Sequence, residues 1–146
     1  MDENKTNFSE TTDEKTESSN NSGEGTLRVQ VTTAGGAVPI DGATVTITDK
    51  DGNFIEKQTT DNSGRTEPVA LPAPPFEYSQ KPGSILPYST YSMRVEMPGY
   101  YTEEFLNIAV FDTVASIQPV ALEPLGENAT ENDRLIVIDE EMKDRL

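Results

Sequence analysis

From Thr26 to Thr33 the chain reads TLRVQVTT, with Leu27, Val29 and Val31 alternating against Thr26, Arg28, Gln30 and Thr32. A period of two puts the three aliphatic side chains on one face, the pattern of a half-buried strand. The run AGGAVPIDG punctuates the chain with glycine and proline, and ATVTITD resumes the alternation through Ala43, Val45 and Ile47. Asp51 and Gly52 in KDGN suit a tight hairpin turn, FIEKQTT predicts a third strand, and DNSGRT ends it. Downstream, YSMRVEM alternates Tyr91, Met93, Val95 and Met97, EEFLNIAVF is apolar and β-branched, and IQPVALEPL closes the series. Helical periodicity is absent between residues 26 and 125. Six or seven short strands with regular turn signals predict an all-β fold, an antiparallel sandwich of about 100 residues.

The flanks read differently. Residues 1–25 contain one phenylalanine and little else that can enter a core, so they are expected to form a disordered acidic tail that cannot offset its ordering entropy. Residues 26–125 form the predicted sandwich domain, and residues 126–146 a linker, GENAT, and a C-terminal docking segment. In that segment Leu135, Ile138, Met142 and Leu146 recur at near-helical spacing behind Asn132 or Asp133 as N-cap, which fits a short amphipathic helix. The run LIVI fits equally a strand added to a sheet edge, its own or a partner's.

Charge narrows the partners. The formal net charge is -15, divided as -5, -6 and -4 over the three segments. With no basic stripe to neutralise phosphates, nucleic acid and an anionic membrane surface are excluded as partners. Cysteine and histidine are both absent, which removes thiol nucleophiles, imidazole or thiolate zinc sites, disulfides and serine-histidine triads. No run approaches the roughly 20 apolar residues of a membrane span. The N-terminus lacks the basic and apolar regions of a signal peptide, which leaves the compartment unknown: the expectation is cytoplasmic synthesis, and export by another route, a place in a longer chain, and spore or cell-surface association all stay open.

The order of these elements carries a resemblance. VPIDGATVTITDKDGNFIEKQTTDNSGRTEPVALP, then YSTYSMRVEMPGYYTEEF, then VALEPL is similar to a carboxypeptidase regulatory-like domain, the transthyretin-like (prealbumin/Ig-like) β-sandwich. The matching residues are Pro39, Gly42 and Ala43 before the second strand, Thr60, Asp61 and Gly64 at a turn, Leu71 and Pro72 after it, Tyr91 and Val95 in a strand, and Gly99 and Tyr100 beyond. LRVQVTTAGGAVPIDGATVTI, together with ALPAPPFEYS, further resembles a module of spore-forming Firmicutes attached to peptidoglycan-binding proteins and relatives of spore cortex-lytic enzymes. The resemblance implies a non-catalytic accessory domain, monomeric alone, whose partner is peptidoglycan or a cell-wall or spore protein.

Candidate chemistry is sparse. LPAPPFEYSQKPGSILPYSTY sets Phe76, Tyr78, Tyr88 and Tyr91 among five prolines. Prolines stiffen a crossover, and the same stiffness can present tyrosines to a sugar or a peptide. Asp49, Asp51 and Asn53 imitate the start of a calcium loop but lack its distal glutamate, so a hairpin turn is expected there. Thr60 to Gly64 reads likewise as a turn. Glu103 and Glu104 are adjacent, and on a strand they point to opposite faces, which denies them joint work as acid and base. A lysine-asparagine isopeptide needs a lysine on the first strand, where Arg28 stands. No enzyme activity, cofactor or metal is expected. The alternative function is structural: assembly through the sandwich and the docking residues Leu135, Ile138, Met142 and Leu146.

Overall fold

A computed structural model describes residues 23–76, 87–128 and 134–143. Nine strands form two sheets: β1 (Gly23–Thr33), β2 (Val38–Pro39), β3 (Thr44–Asp49), β4 (Phe54–Thr59), β5 (Val69–Ala73), β6 (Ser89–Glu96), β7 (Thr102–Val110), β8 (Ala115–Ala121) and β9 (Leu135–Asp139), with a short helix α1 (Glu140–Lys143) at the end. In the first sheet β1 is central, flanked on one side by β2 and β5 and on the other by β8. The second sheet runs β4-β3-β6-β7-β9.

This is the expected all-β chain, with two corrections. Among the described residues the strands number nine where six or seven were expected, because the short β2, β5 at the start of the proline-rich stretch and the C-terminal β9 also pair. The sheets are mixed and not purely antiparallel: β8 lies parallel to β1, with Leu27 opposite Ser116, and β9 lies parallel to β7, with Glu103 opposite Ile136. A parallel neighbour requires a long return connection, so neither pair leaves a hairpin signal in the sequence. Strand β1 begins at Gly23, and β9 forms the far edge of the second sheet.

The alternation in β1 does what its pattern predicts. Leu27, Val29 and Val31 are essentially inaccessible, and across the interior Ile47, Leu71, Met93, Val95 and Leu122 are as deeply buried. Removing one such side chain, as in Leu71→Ala, costs about 2–5 kcal/mol through lost transfer energy and a residual cavity. Two turns lock onto this core. The Thr60 hydroxyl donates to the Ile40 carbonyl at 2.7 Å and accepts the Ala43 N–H at 2.9 Å, while the Thr66 hydroxyl accepts the Val29 N–H at 3.0 Å. Gly64, at φ +78°, sits against the Val31 carbonyl where no Cβ fits. Asp61 holds the same turn by accepting the N–H groups of Ser63 and Arg65 at 2.8 and 3.1 Å. Those backbone hydrogen bonds, with Arg65 first, keep its carboxyl below the usual range.

The KDGN segment is the expected hairpin turn. Asp49 accepts the N–H groups of Asp51 and Asn53, each at 2.9 Å, and the Asn53 side chain at 3.1 Å. Its carboxylate thus faces its own turn. No cluster of three or more potential metal ligands occurs among the described residues.

Candidate functional site

A β-bulge shapes one end of the fold. Along β7 the inward side chains are Glu103 and Phe105, then Ile108 and Val110, so the parity changes at Leu106 and Asn107. The register against β6 slips at the same point, between Tyr91 and Met93. Asn107 takes φ +59°, a left-handed conformation that asparagine tolerates better than most residues. Its side-chain amide donates to the Asp139 carboxylate at 3.0 Å, which ties the bulge to the start of α1.

Beyond Val110 the chain crosses from the second sheet to the first through Phe111–Val114. Asp112 organises this crossing: one carboxylate oxygen accepts the Glu24 N–H at 2.9 Å, and the other accepts the Phe76 N–H at 2.6 Å. These bonds, led by that from Glu24, hold its carboxyl below the usual range. The Phe111 ring meets Tyr88 with centroids 5.4 Å apart and planes inclined by 48°, a tilted aromatic contact. Both ends of the proline-rich crossover, Phe76 and Tyr88, are therefore anchored on neighbouring residues of one turn.

Next to this contact lies a cavity of about 370 Å³. Leu27 and Ile108 line it from the core, Tyr88 and Phe111 from the rim, and Thr90, Ser116, Asn107, Gln118, Glu140 and Glu141 supply its polar groups. Ser116 and Gln118 reach it because β8 is patterned in reverse: they face inward, opposite Leu27 and Val29, while Ile117 lies 60 % exposed on the outer face. Gln118 donates to the Glu140 carboxylate at 3.0 Å, and Asp139 accepts the Glu141 N–H at 3.0 Å. Four strands or their flanks and α1 converge on the cavity, whose size lies at the lower end of the range typical of small-ligand sites.

The four aromatic candidates separate. Tyr88 stands at the cavity rim, 47 % exposed. Phe76 is also exposed, with its backbone fixed by Asp112. Tyr91 is buried, and its hydroxyl donates to the Pro72 carbonyl, so its ring packs in the core and only its edge borders the hollow beside Tyr88. Burial, with a smaller contribution from Asp49, raises the Tyr91 phenol above its usual range. Tyr78 lies outside the described residues.

Of the docking residues, Leu135 and Ile138 lie on a strand and do not share one helical face. In β9 Leu135 is exposed on the outer face, whereas Ile138 points inward and packs against the core. Pairing with β7 imposes a period of two, which sends residues three apart to opposite sides. The Met142 side chain and Leu146 lie outside the described residues. Glu103 and Glu104 diverge as expected. Glu104 pairs with Arg94 at 3.0 Å on the outer face, while Glu103 is buried in an inward row with Val45, Val95 and Ile136. Burial, reinforced by the charge of Glu123, pushes the Glu103 carboxyl up to about 7.

Phe111, Asn107 and Gln118 had no advance signal as site residues. The asparagine inside an otherwise apolar EEFLNIAVF is the one local hint of a bulge. No helix among the described residues is long and apolar enough to cross a membrane.

No protein-family model matches the chain, and no curated protein matches it. Among solved structures it is similar to a variant of catechol 1,2-dioxygenase from Acinetobacter radioresistens, at 16 % identity and a TM-score of 0.51, over 83 % of this chain and 59 % of that one. The Bacillus anthracis TIE protein aligns at 16 % identity and a TM-score of 0.48, over 70 % of this chain and 17 % of that one. An (S)-allantoin synthase aligns at 13 % identity and a TM-score of 0.48, over 73 % and 43 %. The likeness to the dioxygenase shows a shared fold and nothing about activity. The chain spans 17 % and 59 % of the lengths of the first two structures.

Proposed function

We propose that this chain is a non-catalytic binding module, a prealbumin/Ig-like sandwich of the carboxypeptidase regulatory-like kind, that contacts bacterial cell-wall or spore peptidoglycan through the Tyr88–Phe111 end. One observation supports this most: a cavity with paired aromatic rings at its rim and amide, hydroxyl and carboxylate groups inside, assembled from residues distant in sequence. Aromatic faces stack on sugars or apolar chains, and the polar groups set orientation. The test is co-sedimentation of the purified chain with vegetative sacculi and spore cortex. Binding that Tyr88→Ala and Phe111→Ala each reduce supports the proposal; a wild-type chain that stays in the supernatant overturns it.

A second reading, assembly, draws on the exposed apolar positions Leu135 and Val137 of β9 and Ile117 of β8. Sedimentation velocity across concentration checks it. Self-association that Val137→Lys abolishes supports assembly, and a monomer at every concentration removes homo-assembly.

A further inference from the structure

We infer that the hollow lined by Lys57 and Arg134 binds the carboxylate end of a peptide chain. It lies at the opposite end of β6 from Tyr88, so the inference goes beyond the binding end proposed above and does not rest on it. The hollow measures about 380 Å³ and is assembled from β4, the turn between β6 and β7, and the residue before β9. Lys57, Arg134 and Glu96 are the charged residues of its described lining.

The first observation is charge without a partner. Acids outnumber bases by 26 to 11 in the sequence, so a base has carboxylates to choose from, as Arg94 does in pairing with Glu104. The Lys57 and Arg134 side chains make no hydrogen bond or ion pair with a described residue, although Glu96 lines the same hollow. Two bases and one acid give that lining a positive balance on a chain of net charge -15. A ligand carboxylate meets there the two charges that the fold leaves unmatched.

The second observation is that the walls are formed in advance. The Arg134 carbonyl accepts the Thr102 N–H at 2.8 Å, which fixes the main chain that carries the guanidinium. On the other wall the Tyr100 N–H donates to the Met97 carbonyl at 3.1 Å and the Leu125 N–H to the Gly99 carbonyl at 3.0 Å, with Gly99 at φ +88°. Lys57 stands within β4, opposite Thr46 of β3. Each base therefore sits on main chain held by hydrogen bonds, which spares a ligand the cost of ordering a loop.

The head groups suit a carboxylate, because a planar guanidinium can fork both oxygens while an ammonium adds a point charge. Glu96 selects against a bare anion such as phosphate and calls for a donor on the same ligand. The last amide N–H of a peptide stands beside its terminal carboxylate and supplies that donor. Met97, Pro98 and Leu125 offer an apolar wall to the terminal side chain.

The experiment follows the amide NMR signals of the isotope-labelled full chain at low ionic strength during titration with N-acetyl-alanyl-alanine, its C-terminus free, beside the same peptide C-amidated. The expected result is saturable movement of the Gly99, Thr102 and Leu125 signals with the first peptide and not with the second. The Lys57→Gln, Arg134→Gln double variant should weaken binding by about tenfold or more, as loss of charge-assisted contacts requires. Lys50→Gln with Arg65→Gln removes the same charge elsewhere and should change it less than about twofold. Each single variant, Lys57→Gln or Arg134→Gln, is at an exposed position and supplies an independent weakening should the double variant lose its strand circular dichroism. Equal movement with the amidated peptide, equal weakening by both double variants, or no saturable movement of these signals overturns the inference. Inorganic phosphate that binds as tightly as the peptide also overturns it, because the hollow then recognises charge and not a chain terminus.

Discussion

The hydroxyl of Tyr91 on β6 donates to the main-chain carbonyl of Pro72 on β5, and this single bond ties one sheet to the other through the interior. Tyr91→Phe retains the ring and strands the carbonyl. A loss of about 0.5–1.5 kcal/mol is expected in chemical denaturation, the usual net worth of a hydrogen bond, with binding to any surface ligand unchanged. A larger effect on binding than on stability would give Tyr91 a ligand-binding role.

Glu103 makes the fold sensitive to pH near neutrality. Its carboxyl titrates at about 7 in the folded chain against 4.5 in the unfolded one, so between these values the native state holds more protons. Stability therefore falls as pH rises through this window and levels off above pH 7. Glu103→Gln removes that slope and should stabilise the protein by about 1–3 kcal/mol at pH 8, with a much smaller gain at pH 5. Denaturation midpoints of both proteins at the two pH values decide the matter.

Asp112 has the opposite sign. Hydrogen bonds from the Glu24, Phe76 and Thr113 N–H groups lower its pKa, so its contribution is present above the unfolded value and is lost as pH falls through the folded one. Asp112→Ala should release both crossover segments that it holds. The expected reading is faster amide exchange at Glu24 and Phe76, with exchange in β3 unchanged.

Gly25 tests how closely β1 passes the second sheet. A Cβ at this residue would fall on the Phe111 carbonyl and 2.8 Å from a Val110 methyl. Gly25→Ala must push the crossing turn aside and should destabilise by about 1–3 kcal/mol, typical of overpacking. It should also disturb the Tyr88–Phe111 contact, visible as a shift of the Phe111 ring resonances.

The sequence was most readable where structure is local. Leu27, Val29 and Val31 declare their face by alternation, and the Asp49 and Asp61 turns follow from side chains that bond their own backbone. The divergence of Glu103 from Glu104 needed only the period of a strand. What stayed hidden depends on partners far away in the chain. Parallel pairing of β8 with β1 joins residues nearly ninety positions apart, and it lets Ser116 and Gln118 face inward against the ordinary pattern. The ambiguity of LIVI between helix and strand is resolved by the free edge of β7, a feature no local propensity reports. The cavity inherits this: Tyr88 was legible as an exposed aromatic, but Phe111, Asn107 and Gln118 become neighbours only through the bulge and the parallel crossing.

The crossing turn also brings two flanks of the fold together. Glu24 is pinned to Asp112, and α1 borders the cavity that Phe111 lines, so both lie at the same end of the two-sheet fold. Under tension applied through Gly23 and Lys143, the two sheets would be drawn apart from that end and β9 would peel from β7 one rung at a time. A fold loaded in this way yields as a zipper does, one strand pairing at a time, and not by shearing all its rungs together.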